Sequence, residues 1–249
     1  MSFLSSLFGK ADTQPPEHVN GKLYGTPYAQ QINEHFTKNF PGRTDLVWQD
    51  RDGMQIHLLS PTQEEPYYVA YTVGMSANLM EMDNMAHNKQ YGYLRTGELM
   101  MYLPADWPMA GLLAKQDAEP DPEACWPLRM LYRLACMPYK NKTWLGSGHS
   151  IPNGDPPRPL APNTEFCGAV LFLPAEKNGP KEVHPVPISV AKKVLLYVVC
   201  PVYQDEMDMK LQSGATFLEA ELRDLPNYTG FIVTANRPST AVAEEKEEE

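Results

Sequence analysis

The chain has 249 residues, 43% of them hydrophobic, enough for a real core in one large domain or two small ones. Its net charge is −10, of which the terminal run Glu244-Glu-Lys-Glu-Glu-Glu carries −4, leaving a body at −6. That balance excludes a protein built to hold a phosphate backbone; it suits a basic protein partner, although an acidic surface also serves solubility alone.

Residues 1–27 read as a lead-in arm. Phe3, Leu4, Leu7 and Phe8 would line one side of a helical turn or two, too short to stand alone, so this tip would dock on the body or on another copy. It lacks the basic start of a secretory signal. A helix follows over 27–40, with Tyr28, Ile32, Phe36 and Phe40 on one face, Pro27 in its first turn and Pro41-Gly42 ending it. A strand meander comes next: Asp45-Leu-Val-Trp-Gln, Met54-Gln-Ile-His-Leu-Leu and Tyr67-Tyr-Val-Ala-Tyr-Thr-Val, with a hairpin signal at Asp52-Gly53. Residues 76–92 are polar and methionine-rich and read as an irregular loop. Met75, Met80, Met82 and Met85 suit an adaptable partner surface there, whereas the remaining methionines read as core filler. Gly97-Glu-Leu-Met-Met-Tyr-Leu-Pro resumes strand character, and 104–122 is loop with a short helix around 109–115.

The strongest helix is 126–139, with Pro127 in its first turn and Leu128, Leu131, Leu134 and Ala135 on its apolar face. From Trp144 to Phe166 runs a long loop dense in Gly and Pro. Phe166-Cys-Gly-Ala-Val-Leu-Phe-Leu-Pro and residues 193–200 are buried strands, the second an apolar run without alternation because both faces are covered. Pro201 should stop its pairing, since proline cannot donate to a ladder. Asp205 and Glu206 lie where a helix N-terminus favours negative charge. Met207, Leu211, Leu218 and Leu222 then recur at helical spacing across Ser213-Gly214, as two short helices or one bent one. Residues 228–233 add a last short element, and the tail from Pro238 reads as disordered. Helix, strands, helix, strand, strand, helix is the order of an α+β fold, a mixed β-sheet flanked by helices in one domain.

The chemistry is sparse. Leu145-Gly-Ser-Gly-His-Ser suggests a hydrolase with Ser147 as nucleophile and His149 as base, but Leu145 and His149 stand where a nucleophile elbow needs glycines. His149, His184 and Glu98 lack metal-ligand spacing. Cys125, Cys136, Cys167 and Cys200 contain no CxxC pair and read as reduced, mostly buried thiols. No glycine-rich phosphate loop occurs, so no cofactor is expected. With no run near the roughly 20 apolar residues of a membrane span, the expectation is a soluble, cytoplasmic protein without a nucleic-acid or membrane partner. Trp144, His149 and the Pro-rich stretch 151–162 form the main candidate partner surface, the alternative being that Trp144 packs under its own loop. Tyr203 and Glu206 lie at its edge, Glu206 being explained equally by helix-start chemistry.

Six segments, in order, carry a family resemblance: Tyr71-Thr-Val-Gly-Met-Ser, Gly97-Glu-Leu-Met-Met-Tyr-Leu-Pro, Trp126-Pro-Leu-Arg-Met-Leu, Thr143-Trp-Leu-Gly-Ser-Gly-His-Ser-Ile-Pro, Phe166-Cys-Gly-Ala-Val-Leu, and the strand–proline–helix junction over 194–207. Over residues 28–225 the chain resembles the suppressor-of-fused domain, with 226–249 as a C-terminal segment. The resemblance implies an α+β protein-binding domain without catalysis. Animal members hold a transcription factor with the help of a second domain. This chain looks like the compact bacterial type, whose members are proposed as immunity proteins that neutralise a toxin. The peptide groove of the animal proteins spans both domains, so its contact residues are not carried over.

Overall fold

The computed structural model describes residues 27–51, 53–82, 89–109 and 121–241. Eight strands form one mixed sheet: β1 (Asp45–Arg51), β2 (Met54–Leu59), β3 (Tyr67–Val73), β4 (Gly97–Pro104), β5 (Ser150–Pro152), β6 (Gly168–Phe172), β7 (Val186–Ser189) and β8 (Lys192–Val202). Their order is β1-β2-β3-β4-β8-β6-β5, with β7 also paired to β8. Among the strands of the described residues only the β4–β8 pair is parallel, so the expected α+β class with a mixed sheet holds. Helix α2 (Pro122–Asn141) covers one face; α1 (Ala29–Asn39), α3 (Gln204–Ser213) and α4 (Ala215–Asp224) cover the other.

The central strands show why the sequence lacks alternation. In β8, Leu195, Tyr197 and Val199 pack toward α2, whereas Leu196, Val198 and Val202 pack toward α1, α3 and α4. In β4, Leu99, Met101 and Leu103 face α2, and Met100 and Tyr102 face the other side. Period 2 persists in the backbone, but both faces require apolar groups. Helix α1 joins through Ile32, Phe36 and Phe40, the Phe36 ring stacking on Tyr71 at 3.8 Å between centroids.

Several expectations need correction. Helix α2 starts a turn earlier than Trp126: Asp121 caps it, its carboxylate accepting from Glu123 N–H at 2.9 Å, and Pro122 holds the first turn. Pro127 therefore lies inside the helix, and the Glu123 carbonyl that it cannot satisfy accepts from Asn163 Nδ2 at 3.3 Å. Pro201 does not end its strand, because Pro201 and Val202 still pair with Ala169 and Gly168 of β6. The β4 ladder along β8 stops at Val198, so the missing proline N–H costs that ladder nothing. Strand β5 lies inside the expected 144–166 loop, and β7, with Pro187 beside a register shift, is a second unforeseen strand. Met75, Met80 and Met82 are buried, not surface-forming: Met75 and Met80 complete the cluster under α2, and the Met80 sulfur receives the Leu145 N–H. Residues 238–241 are ordered against the body, as described below. The N-terminal tip, Met85, the segment 110–120 and the acidic run 244–249 lie outside the described residues.

The four cysteines are buried. Burial pushes Cys167 up to about 11 and Cys200 up to about 12. A thiol reagent at pH 8 is therefore expected to leave the native protein almost unlabelled and to find all four thiols after denaturation. Rapid labelling of one thiol in the native state would contradict this packing.

Candidate functional site

The junction between β8 and α3 is built around a buried carboxylate. Glu206, fully buried in the first turn of α3, accepts the Tyr203 N–H at 3.0 Å, as a capping-box residue does. Its other contacts come from the chain's far end. Arg237 grips it with two parallel bonds, Nη1–Oε1 at 2.5 Å and Nη2–Oε2 at 2.6 Å, and Thr240 N–H donates to Oε1 at 3.0 Å. The guanidinium lies 5.0 Å from the Phe166 ring centroid and 5.2 Å from that of Tyr203, and Nη2 also donates to the Pro201 carbonyl at 3.2 Å. Burial disfavours the charge of Arg237, yet the Glu206 carboxylate holds its pKa above the ordinary value. The Tyr203 hydroxyl donates to the Arg237 carbonyl, Thr164 Oγ1 to that of Ala235 at 2.7 Å, and Ser239 Oγ to Asp205 Oδ2 at 2.8 Å. The C-terminal segment is thus strapped across the junction, over a cavity of about 260 Å³ lined by Leu222, Tyr228 and Phe231 among others.

The second candidate region is the turn that leads into β5. Gly148 N–H donates to the Leu171 carbonyl at 2.7 Å and Leu171 N–H to that of His149 at 3.0 Å, which pins the turn to β6. Trp144 and His149, both half-buried, meet edge to face with centroids 4.3 Å apart. Gly146 permits this: a Cβ there would lie 2.5 Å from the indole. Burial, and then the charge of Lys210, lower the His149 pKa, so the imidazole is neutral at pH 7. Lys210 of α3 donates to Ser150 Oγ at 3.2 Å, and the α3–α4 turn abuts Gly148 through Ala215. Leu211 near the end of α3 and Phe217 near the start of α4 flank that turn and are 71% and 45% accessible.

The four sequence candidates therefore fall into two pairs at opposite ends of α3. Trp144 and His149 touch each other; Tyr203 and Glu206 share the cap. Glu206 presents no atom to solvent. Sequence reasoning missed Arg237, whose only signal is a lone Arg-Pro before an acidic run, and missed Leu211 and Phe217 as surface residues because helical spacing marked Leu211 as core. Ser147 is exposed, and among the described residues no hydrogen bond joins it to His149. His184 is exposed, whereas Glu98 is sealed inside β4, so the three residues weighed for a metal do not converge; among the described residues no group of three His, Cys, Asp or Glu side chains does. No helix among the described residues is long and apolar enough to cross a membrane.

A mixed sheet covered by helices on both faces, with a strand-to-helix junction locked by a C-terminal strap, defines an α+β scaffold. The chain belongs to the suppressor of fused protein (SUFU) family, whose model matches residues 50–238. Similar solved structures share the fold. A SUFU homologue from Neisseria gonorrhoeae superposes with a TM-score of 0.56 at 16% identity, over 88% of this chain and 100% of that one. A chain of the Sufu–Fu complex gives 0.56 at 14%, over 87% and 93%. Drosophila Suppressor of Fused gives 0.54 at 15%, over 87% of this chain but only 52% of the fly protein. No curated protein matches.

Proposed function

We propose that the chain is a non-enzymatic binding module that holds a protein partner stoichiometrically, through a surface made by Trp144, His149, Leu211 and Phe217, with Tyr203 at the far end of α3 serving the cap rather than the contact. Membership of the suppressor of fused family carries this reading, supported by the likeness to a protein of the Sufu–Fu complex. Two rings in edge contact on a turn pinned at both ends lose little freedom on binding, and Leu211 and Phe217 add apolar area. Glu206 contributes by fixing the cap and the strap. We assign the binding domain to residues 28–225, flanked by the arm 1–27 and the segment 226–249.

The likeness to the Neisseria homologue supports placing the chain with the bacterial members of the family. In that setting we assign the chain a cytoplasmic role as an immunity protein, its partner being a toxin. Co-purification of the tagged chain, with mass spectrometry, tests the binding surface. One equimolar partner is expected with the wild type; Phe217→Ala, which removes an exposed ring, should leave the thermal midpoint in place, and the pair Trp144→Ala and Phe217→Ala is expected to weaken binding by about 2–4 kcal/mol at such anchors. Full retention by that variant excludes this surface. A hydrolytic activity abolished by Ser147→Ala and by His149→Ala alike would replace the binding reading.

A further inference from the structure

On the face of the sheet opposite α3 and α4, a small cavity opens between α2 and the β5–β6 pair. Trp126, Ile151 and Leu160 supply apolar walls; Arg129, Arg133 and Asn153 supply polar ones. Two observations point to what it takes. Arg129 and Arg133 stand one turn apart on α2 and both line this opening, Arg129 being engaged in an interaction of its own. Arg133, whose side chain reaches solvent at the rim, has no hydrogen bond or ion pair among the described residues, and the partial desolvation of its guanidinium, then the charge of Arg129, lower its pKa. Trp126, which is 2% exposed, lines the same cavity, and its indole N–H is buried without an acceptor. A buried indole N–H ordinarily has one.

We infer that this cavity binds a carboxylate on a short apolar stem, the anion lying between the Arg133 guanidinium and the Trp126 indole N–H. Size limits the stem. A cavity of roughly 150 Å³ accepts benzene, and this one measures about 70 Å³, enough for the carboxylate and one or two carbons. A short organic acid and the end of a glutamate side chain share that chemistry. The site lies apart from the Trp144 surface and does not depend on it.

The test titrates propionate, at constant ionic strength, into the isotope-labelled full chain and follows the Trp126 indole N–H resonance. A saturable shift is expected, with propionamide at least about tenfold weaker because a charge-assisted bond is lost, and with the response abolished in Arg133→Gln. The peptide acetyl-Ala-Ala-Glu-Ala-Ala-amide separates the sources: tighter binding than propionate assigns the site to an acidic protein segment, weaker binding to a free acid. No saturable shift with propionate or peptide, equal responses to propionate and propionamide, or an unaltered response in Arg133→Gln would overturn the inference.

Discussion

Arg237→Ala is expected to lower the folding free energy by about 3–5 kcal/mol, the range for breaking a buried ion pair from one side. In a chain of this size that corresponds to a drop in melting temperature of roughly 10 °C. The effect is large because the partner cannot escape. Glu206 is fully buried, and its carboxylate would keep only backbone and hydroxyl donors from Tyr203 and Thr240. The guanidinium also binds the Pro201 carbonyl and covers the rings of Phe166 and Tyr203, so packing is lost along with charge. Arg237→Lys should fall between, since an ammonium keeps the charge but not the two parallel bonds. Replacing both partners, Glu206→Leu with Arg237→Met, should recover part of the loss, because no charge is then stranded. Urea unfolding of the four proteins checks the order. A loss below about 1 kcal/mol for Arg237→Ala, typical of an exposed pair, would contradict the strap as drawn.

Glu98 gives the second large effect, and there alanine and glutamine should part company. Its carboxyl is sealed within β4: Oε1 receives Gly74 N–H at 2.9 Å, Ser76 N–H at 3.0 Å and Ser76 Oγ at 2.6 Å, while Oε2 meets Thr72 Oγ1 at 2.6 Å. Burial raises its pKa above the usual carboxylate range despite these donors. The folded state thus holds the proton more tightly than the unfolded state. Its stabilising contribution is complete below the unfolded carboxyl pKa and is lost as pH rises from there through the raised folded value. A protonated Oε2 can donate to Thr72 Oγ1, which then turns its own proton toward the Leu99 carbonyl 3.4 Å away. A glutamine amide fits the same place. Glu98→Gln should therefore stay within about 1 kcal/mol of wild type at neutral pH and lack this part of the pH dependence, whereas Glu98→Ala leaves buried donors unpaired and should cost about 4 kcal/mol. Unfolding curves from pH 4 to pH 8 separate the three; glutamine as damaging as alanine throughout would mean that the charged carboxylate is required.

The elements legible in the sequence were those whose residues answer to one local rule. Strands β4 and β8 announced themselves as apolar runs because each is covered on both faces, and the Leu128, Leu131, Leu134 stripe marked α2. What escaped depends on distant partners. Pro127 mimicked a helix start because nothing local reveals that Asn163 relieves the Glu123 carbonyl. Strands β5 and β7 are three and four residues long, contain proline, and exist only as neighbours of β6 and β8. The polar setting of Met75 and Met80 hid their place under α2. The candidate site divided along the same line. Trp144 and His149 were visible as aromatic and imidazole groups on a glycine-rich turn, but the role of Glu206 was not, because Arg237 lies 31 positions away.

Hydrogen exchange on the partner complex tests the central claim most directly. Binding through the Trp144 surface predicts new protection over residues 144–152 and across the α3–α4 turn at 211–217, with β1 at the opposite end of the sheet unchanged. Protection confined to β1 and β2, with residues 144–152 exchanging as in the unbound protein, would contradict it.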